Sequence, residues 1–180
     1  SIWVGPNCHL VHYPLRGGEQ YNVVVTFHSR ELEEWSVREG SRDEVQSYFR
    51  GICSRARQLI DLPKDWKRWA TADREPIGQW TYGRVTLLGD AAHPTLQYLA
   101  QGACMAMEDA VCLTHMVDAF PDNFERALAA YRDRRVLRTT RVQLLSRAMG
   151  EHVYHPDGAH AQLRNSVMRA KTQEEWYETL

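Results

Sequence analysis

Apolar and polar residues alternate over positions 1–28, and the stretches "CHLVHYPL" and "QYNVVVTFH" each carry the period-two pattern of a half-buried strand. Between them, "RGGE" supplies two glycines that accept positive φ, which predicts a β-hairpin. Charged residues dominate positions 30–42. "SRDEVQSYFRGICSRARQLI" then places Val45, Phe49, Ile52, Ala56 and Leu59 at helical spacing, with Ser41 as N-cap and Glu44 positioned to complete a capping box. One surface helix is expected there, ended by Pro63. "DWKRWATADREPIGQWTYG" mixes Trp66, Trp69 and Trp80 with turn residues and predicts strand pieces at a sheet edge, and "RVTLLG" predicts a compact strand.

From Gln101 to Val117, small and apolar positions favour helix. "PDNFE" offers a second start, with Asp122 as cap and Glu125 reaching back, and opens a long helix over Phe124–Met149. Its apolar stripe of Phe124, Leu128, Tyr131, Val142, Leu145 and Met149 is interrupted by Arg135 and Arg138, so a solvated or partner-facing helix is expected. After Gly150 the pattern turns polar through "EHVYHPDGAH", predicting a loop, and a last helix is expected near "TQEEWYETL". The order of elements gives an α/β class, α+β within this stretch of chain. Three segments follow: 1–80 with a sheet and a helix, 81–150 with a strand–turn–helix segment and the long helix, and 151–180 with a polar loop and helix.

The 180 residues, 43% hydrophobic, suffice for one good-sized core or two small ones. With 22 basic and 23 acidic residues the net charge is −1, which gives no long-range attraction to nucleic acid or an anionic membrane. No apolar run approaches the ~20 residues of a membrane span, and no basic-apolar leader precedes the first strand, so a cytoplasmic protein is expected. The opening "SIWVG", without methionine or turn signal, suggests a fragment. Cys8, Cys53, Cys104 and Cys112 form no C-x-x-C pair and are expected to be reduced, mostly buried thiols. His152, His155 and His160 lack acidic or cysteine companions at metal-ligand spacing, so no metal site is expected. No nucleophile elbow is present.

Candidate chemistry lies in two places. In "GRVTLLGDAAHPTLQYLAQGACMAMEDAVCL" a Gly-Asp turn leaves the Asp90 carboxylate at the end of a strand, where it can accept from sugar-like hydroxyls. Gln101, Gly102 and Ala103 stand where a helix begins, and their N–H groups favour an anion or a carbonyl edge. On spacing alone, turn geometry explains the Gly and the Asp equally well. On the first hairpin, His9 and Tyr13 share one strand face about 13 Å apart, while His12 points the other way. By pattern alone they are ordinary strand residues.

"GRVTLLGDAAHP" followed by "QGACMAMEDA" resembles the second flavin-binding motif of the single-component FAD-dependent aromatic hydroxylases. "DREP" at positions 73–76 and "YRDRRVLRTTRVQLLSR" at 131–147 are also similar to that family, so the likeness spans Trp3 to about Arg147. It implies part of a substrate-domain β-sheet, the second flavin motif and C-terminal helices. It further implies that Asp90 contacts the ribityl hydroxyls and that the backbone of Gly102, Ala103 and Cys104 faces the N1 and C2 carbonyl edge of the flavin. His9 would be the base for a phenol proton, with a pKa near neutral, Tyr13 its hydrogen-bonding partner, and Gln101 a group that positions the substrate. His93 would be structural. The implied cofactors are FAD and NADH or NADPH, and the implied reactants are a hydroxylated aromatic acid and molecular oxygen, with a homodimer left open for the full-length protein. Where many members carry prolines and a Gly-x-Gly pattern, this chain has "PTLQYLAQG", which resembles the hydroxybenzoate and salicylate branch and leaves contacts from Thr95 to Ala100 unassigned; 6-hydroxynicotinate monooxygenases are close behind. The "GxGxxG" unit that seats the adenosine pyrophosphate is not in this sequence. The isolated chain is therefore expected to hold FAD weakly or not at all and to lack hydroxylase activity. A non-catalytic interaction module is the alternative of another class.

Overall fold

The structure, a computed structural model, describes residues 1–31, 37–172 and 175. The helix expected near "TQEEWYETL" lies largely outside them. Two compact units form, one from Ser1–Ala70 with Gly150–Leu180 and one from Thr71–Met149.

In the first unit, β1 (Ile2–Gly5), β2 (Cys8–Leu15) and β3 (Gln20–Phe27) make an antiparallel sheet with β2 in the centre. The expected hairpin is present, and Leu15 pairs with Gln20 across a turn in which Arg16, Gly17 and Gly18 all take positive φ. Side chains alternate across β2, so Cys8 and Leu10 enter an apolar core with Phe49, Ile52, Ala56 and Ile60. The expected single helix is two, α1 (Arg42–Tyr48) and α2 (Ser54–Ile60). The Phe49 N–H bonds both Val45 and Gln46 carbonyls, which tightens the last turn of α1, and Gly51 passes where a Cβ would meet Pro6 at 3.1 Å. The periodic positions still face inward on both sides of the break. Ser41 caps by accepting from the Glu44 N–H at 3.1 Å, but the Glu44 carboxylate pairs with Arg68 instead of closing a capping box. Strand β4 (Val37–Gly40) pairs with β5 (Trp66–Trp69), in line with the strand pieces expected around the tryptophans. The polar loop expected after Gly150 is not one. A π-turn over Gly150–Tyr154 carries Tyr154, His155 and Pro156 into buried positions before a helix over Gly158–Ala170.

The second unit begins at Thr71, so residues 71–80 pack with it and not with the sheet to which the 1–80 segment assigns them. Arg147 grips Asp73 at 2.6 Å and Glu75 at 2.7 Å, and Trp80 enters a core with Ala92, Met116, Ala127 and Tyr131. Only the front of "RVTLLG" is strand: β6 (Thr81–Tyr82) pairs with β7 (Val85–Thr86) around Gly83. Helices α3 (Gly102–Ala119) and α4 (Phe124–Met149) follow, α4 with the bounds expected. Its cap is Asn123, whose Oδ1 accepts from the Arg126 N–H at 3.0 Å, one residue beyond the expected Asp122. Helix α4 is solvated on one face, where Leu137 and Arg138 are exposed as expected, but its other face is buried. Tyr131, Arg135, Thr139 and Gln143 are buried at helical spacing, and Arg135, which interrupts the apolar stripe, is the inward residue.

The reason is Asp109 on α3, which has no exposed surface. Its carboxylate accepts from the Arg135 Nε at 2.6 Å, the His93 Nε2 at 2.6 Å and the Gly89 N–H at 3.0 Å. Burial alone would raise the Asp109 pKa, but His93, Gly89 and Arg135 together hold it below the usual carboxylate range. His93 is structural, as expected. Glu108, one residue back and partly exposed, takes Arg135 at 2.7 Å and Arg138 at 2.6 Å. Of the four thiols only Cys8 is fully buried; Cys53 is exposed and Cys104 and Cys112 are half-buried, all free. Among the described residues no helix is long and apolar enough to cross a membrane.

Asp109→Asn removes the buried counter-charge of Arg135 and should cost about 3–5 kcal/mol in urea unfolding. Glu108→Gln, at a solvated position, should cost under about 1 kcal/mol. Because the folded pKa of Asp109 is depressed, its contribution is present above about pH 4 and is lost as pH falls through the folded value. Asp109→Asn should therefore flatten the fall in stability below about pH 4.

Candidate functional site

In the second unit, Asp90 sits in the middle of a single 3₁₀ turn over Gly89–Ala91 that follows the extended Leu88. Gly89 is buried with φ +58°, and a Cβ there would meet the Ala106 Cβ at 3.2 Å, so glycine is what lets the turn lie against α3. With the Gly89 N–H fixed on Asp109, the next side chain, Asp90, is left exposed. The segment 91–100 is pinned from α4. Gln143 donates to the Pro94 carbonyl at 3.0 Å and Ser146 to the Leu96 carbonyl at 2.6 Å, while Arg74 donates to the Ala91 carbonyl.

That segment ends in a 3₁₀ turn over Gln97–Leu99 and in Ala100 at φ +53°, after which α3 starts. Gln101 is its N-cap, with no side-chain cap bond, and the Met105 N–H donates to the Gln101 carbonyl at 2.8 Å. Gly102, Ala103 and Cys104 are thus the opening residues of an 18-residue helix, whose N–H groups lie outside its own ladder. Ala103 is exposed, and Gly102 and Cys104 are half-buried. The structure brings Asp90 and this helix start onto one Asp109-held frame: an acceptor for hydroxyl donors, and a helix end that favours negative charge.

In the first unit, His9 and Tyr13 lie on the same face of β2, as expected. Their surroundings differ. His9 is buried, stacked on Tyr154 with ring centroids 4.8 Å apart, and its Nδ1 lies 2.8 Å from the His155 Nε2. Tyr13 is 45% exposed at the far end, opposite Asn22. The near-neutral pKa expected of His9 is not found. Burial first, and the His28 imidazole second, push it down to about 4, and the same causes together with His9 push His155 to about 3. Both rings are therefore neutral near pH 7. His152 and His160 are exposed with rings 5.3 Å apart, and no group of three His, Cys, Asp or Glu able to hold a metal exists among the described residues.

Sequence reasoning missed Asp109, Arg135, His28, Tyr154 and His155. Arg135 carried a signal, since an arginine inside an apolar stripe calls for a buried acid. For His155 the aromatic run "VYHP" was the only hint, and it was outweighed by its polar neighbours.

A sequence model described as an FAD binding domain matches residues 7–145. The chain is 65% identical over 180 residues to the 3-hydroxybenzoate 6-hydroxylase of Polaromonas naphthalenivorans (strain CJ2), covering all of this chain and 45% of that protein. It is 56% identical over 176 residues to the Klebsiella oxytoca protein of the same name, covering 98% of this chain and 44% of that protein. It thus spans under half the length of these two relatives. Among solved structures, Klebsiella pneumoniae HpxO complexed with FAD and uric acid superposes with a TM-score of 0.80 at 27% identity, covering 98% of this chain and 46% of that one. A salicylate hydroxylase substrate complex gives 0.79 at 27% identity, covering 92% and 44%. With most of its length matched by that model, the chain belongs to the FAD binding domain family.

Proposed function

We propose that this chain is part of an FAD-dependent, NAD(P)H-consuming aromatic hydroxylase that converts 3-hydroxybenzoate to gentisate. The observation that carries the proposal is the shared frame in the second unit, where the Asp109 carboxylate binds the Gly89 N–H and so holds the exposed Asp90 on a turn packed against α3, the helix that Gly102 opens. The 65% identity to a protein named 3-hydroxybenzoate 6-hydroxylase supports the choice of substrate.

The donor and acceptor set suits the ribityl and pyrimidine part of FAD. Asp90 accepts from ribityl hydroxyls, and the N–H groups of Gly102, Ala103 and Cys104 face the N1 and C2 carbonyl edge, where a helix N-terminus stabilises the negative charge of the reduced ring. When bound and reduced, FAD together with molecular oxygen supplies the electrophilic oxygen. Gln101 orients the substrate ring or its carboxylate.

His9 takes the phenol proton, and Tyr13 hydrogen-bonds beside it. Removal of that proton drives electron density to the ortho and para carbons, and the para carbon of 3-hydroxybenzoate is carbon 6. A neutral imidazole is the form able to accept, and burial keeps His9 in that form. The substrate-domain sheet corresponds to β1–β3, and the second flavin motif and long helix to Thr71–Met149.

In the full-length protein, 3-hydroxybenzoate should stimulate NAD(P)H oxidation with gentisate as product. A protein that binds FAD but forms no gentisate would refute the substrate assignment. His9→Asn should lower kcat for gentisate by about 10²–10⁴ with flavin content unchanged. Asp90→Ala removes a charged acceptor worth about 1.5–3 kcal/mol and should weaken FAD binding about 10- to 100-fold in a flavin-fluorescence titration.

A further inference from the structure

We infer that His9, His155 and His28 form a proton relay that carries the substrate's proton from the buried His9 to the surface. The inference rests on His9 being the base proposed above. Three imidazoles stand in line: His9 Nδ1 is 2.8 Å from His155 Nε2, and His155 Nδ1 is 2.8 Å from His28 Nε2. The first two rings are buried and the third is exposed. They come from β2, from the residue after β3, and from the segment after the π-turn. Asn7 clamps the last two together, because its N–H donates to the His155 carbonyl at 3.1 Å and its carbonyl accepts from the His28 N–H at 2.9 Å.

The spacing identifies a hydrogen-bonded chain and not a metal cluster. Two imidazole ligands of one tetrahedral zinc, each about 2.0–2.1 Å from the metal, would sit about 3.3 Å apart and aim at a common point. Here each nitrogen aims at the next ring, at hydrogen-bond distance.

The step balances with every ring neutral before and after it. At the start each imidazole carries its hydrogen on Nδ1. A proton arrives on His9 Nε2, the His9 Nδ1 hydrogen passes to His155 Nε2, the His155 Nδ1 hydrogen passes to His28 Nε2, and the His28 Nδ1 hydrogen leaves to water. One proton enters and one leaves, and all three rings end as Nε2–H tautomers. A proton moving inward along the same path resets them, as when a proton is returned to the product. Burial makes an imidazolium costly at the first two positions, so the proton does not rest there. His155 and His28 are positioning residues that act through His9.

The test uses the full-length FAD-loaded enzyme with 3-hydroxybenzoate, comparing His28→Asn, His155→Gln and His9→Asn. His28→Asn and His155→Gln should each lower kcat for gentisate by about tenfold or more, leave KM for 3-hydroxybenzoate within about twofold, and raise the solvent deuterium isotope effect on kcat. Added imidazole should restore part of the rate of His28→Asn. Wild-type kcat and isotope effect in His28→Asn and His155→Gln, with His9→Asn inactive, would overturn the relay and leave His9 as the base. Retained activity in His9→Asn would overturn both. If His155→Gln does not fold, His28→Asn decides at its exposed position, and a loss there without imidazole rescue counts against the relay.

Discussion

One carboxylate with no access to water organises the second unit. A buried anion costs several kcal/mol unless it is fully satisfied, and Asp109 is satisfied by three donors from separate stretches of chain: a backbone N–H at the Gly-Asp turn, an imidazole just after it, and a guanidinium on α4. The carboxylate accepts each of them near a lone-pair direction, so the bonds fix orientation as well as proximity. The turn cannot rotate without abandoning the carboxylate, and therefore Asp90 keeps its outward aim. The ion pair also explains why α4 buries a polar row. Arg135 meets Asp109, while Gln143 and Ser146, further along the helix, hold carbonyls of the segment leading to α3.

The first unit treats its buried polar group differently. His9 lies on the central strand of the sheet, one residue from two side chains of the apolar core, and is met by other imidazoles and an aromatic ring. Burial first, and the nearby His28 imidazole second, lower its basicity, where pairing with an acid would raise it. A neutral ring can both give and take a proton, and that versatility suits a group exchanging protons with a substrate better than a permanently charged one does.

Much of this was legible from local pattern. The hairpin followed from alternation and two glycines, and the bounds of α4 followed from a cap signal and periodicity, because both are set by interactions within a few residues. The break between α1 and α2 was not legible, since it depends on Gly51 passing close to Pro6, far off in sequence. The Gly-Asp turn and the start of α3 were visible as chemistry, through the family resemblance, but the residue that binds them together was not: "MEDA" gives no local reason for an aspartate to be buried. His155 was hidden for the same reason. Its burial comes from His9, 146 positions away, and a window of polar neighbours carries no trace of it.

The first unit is discontinuous in sequence, and this bears on the order in which the chain can fold during synthesis. Residues 1–70 leave the ribosome well before residues 150–155, with the whole of the second unit emerging between them. Through that interval the strand holding His9 can pair with its neighbours and bury Cys8 and Leu10, yet the ring that stacks on His9 and the imidazole that bonds it have not been made. The face of the sheet that holds His9 is thus completed only after the second unit has emerged, and the nascent protein holds it half-finished until residues 150–155 arrive.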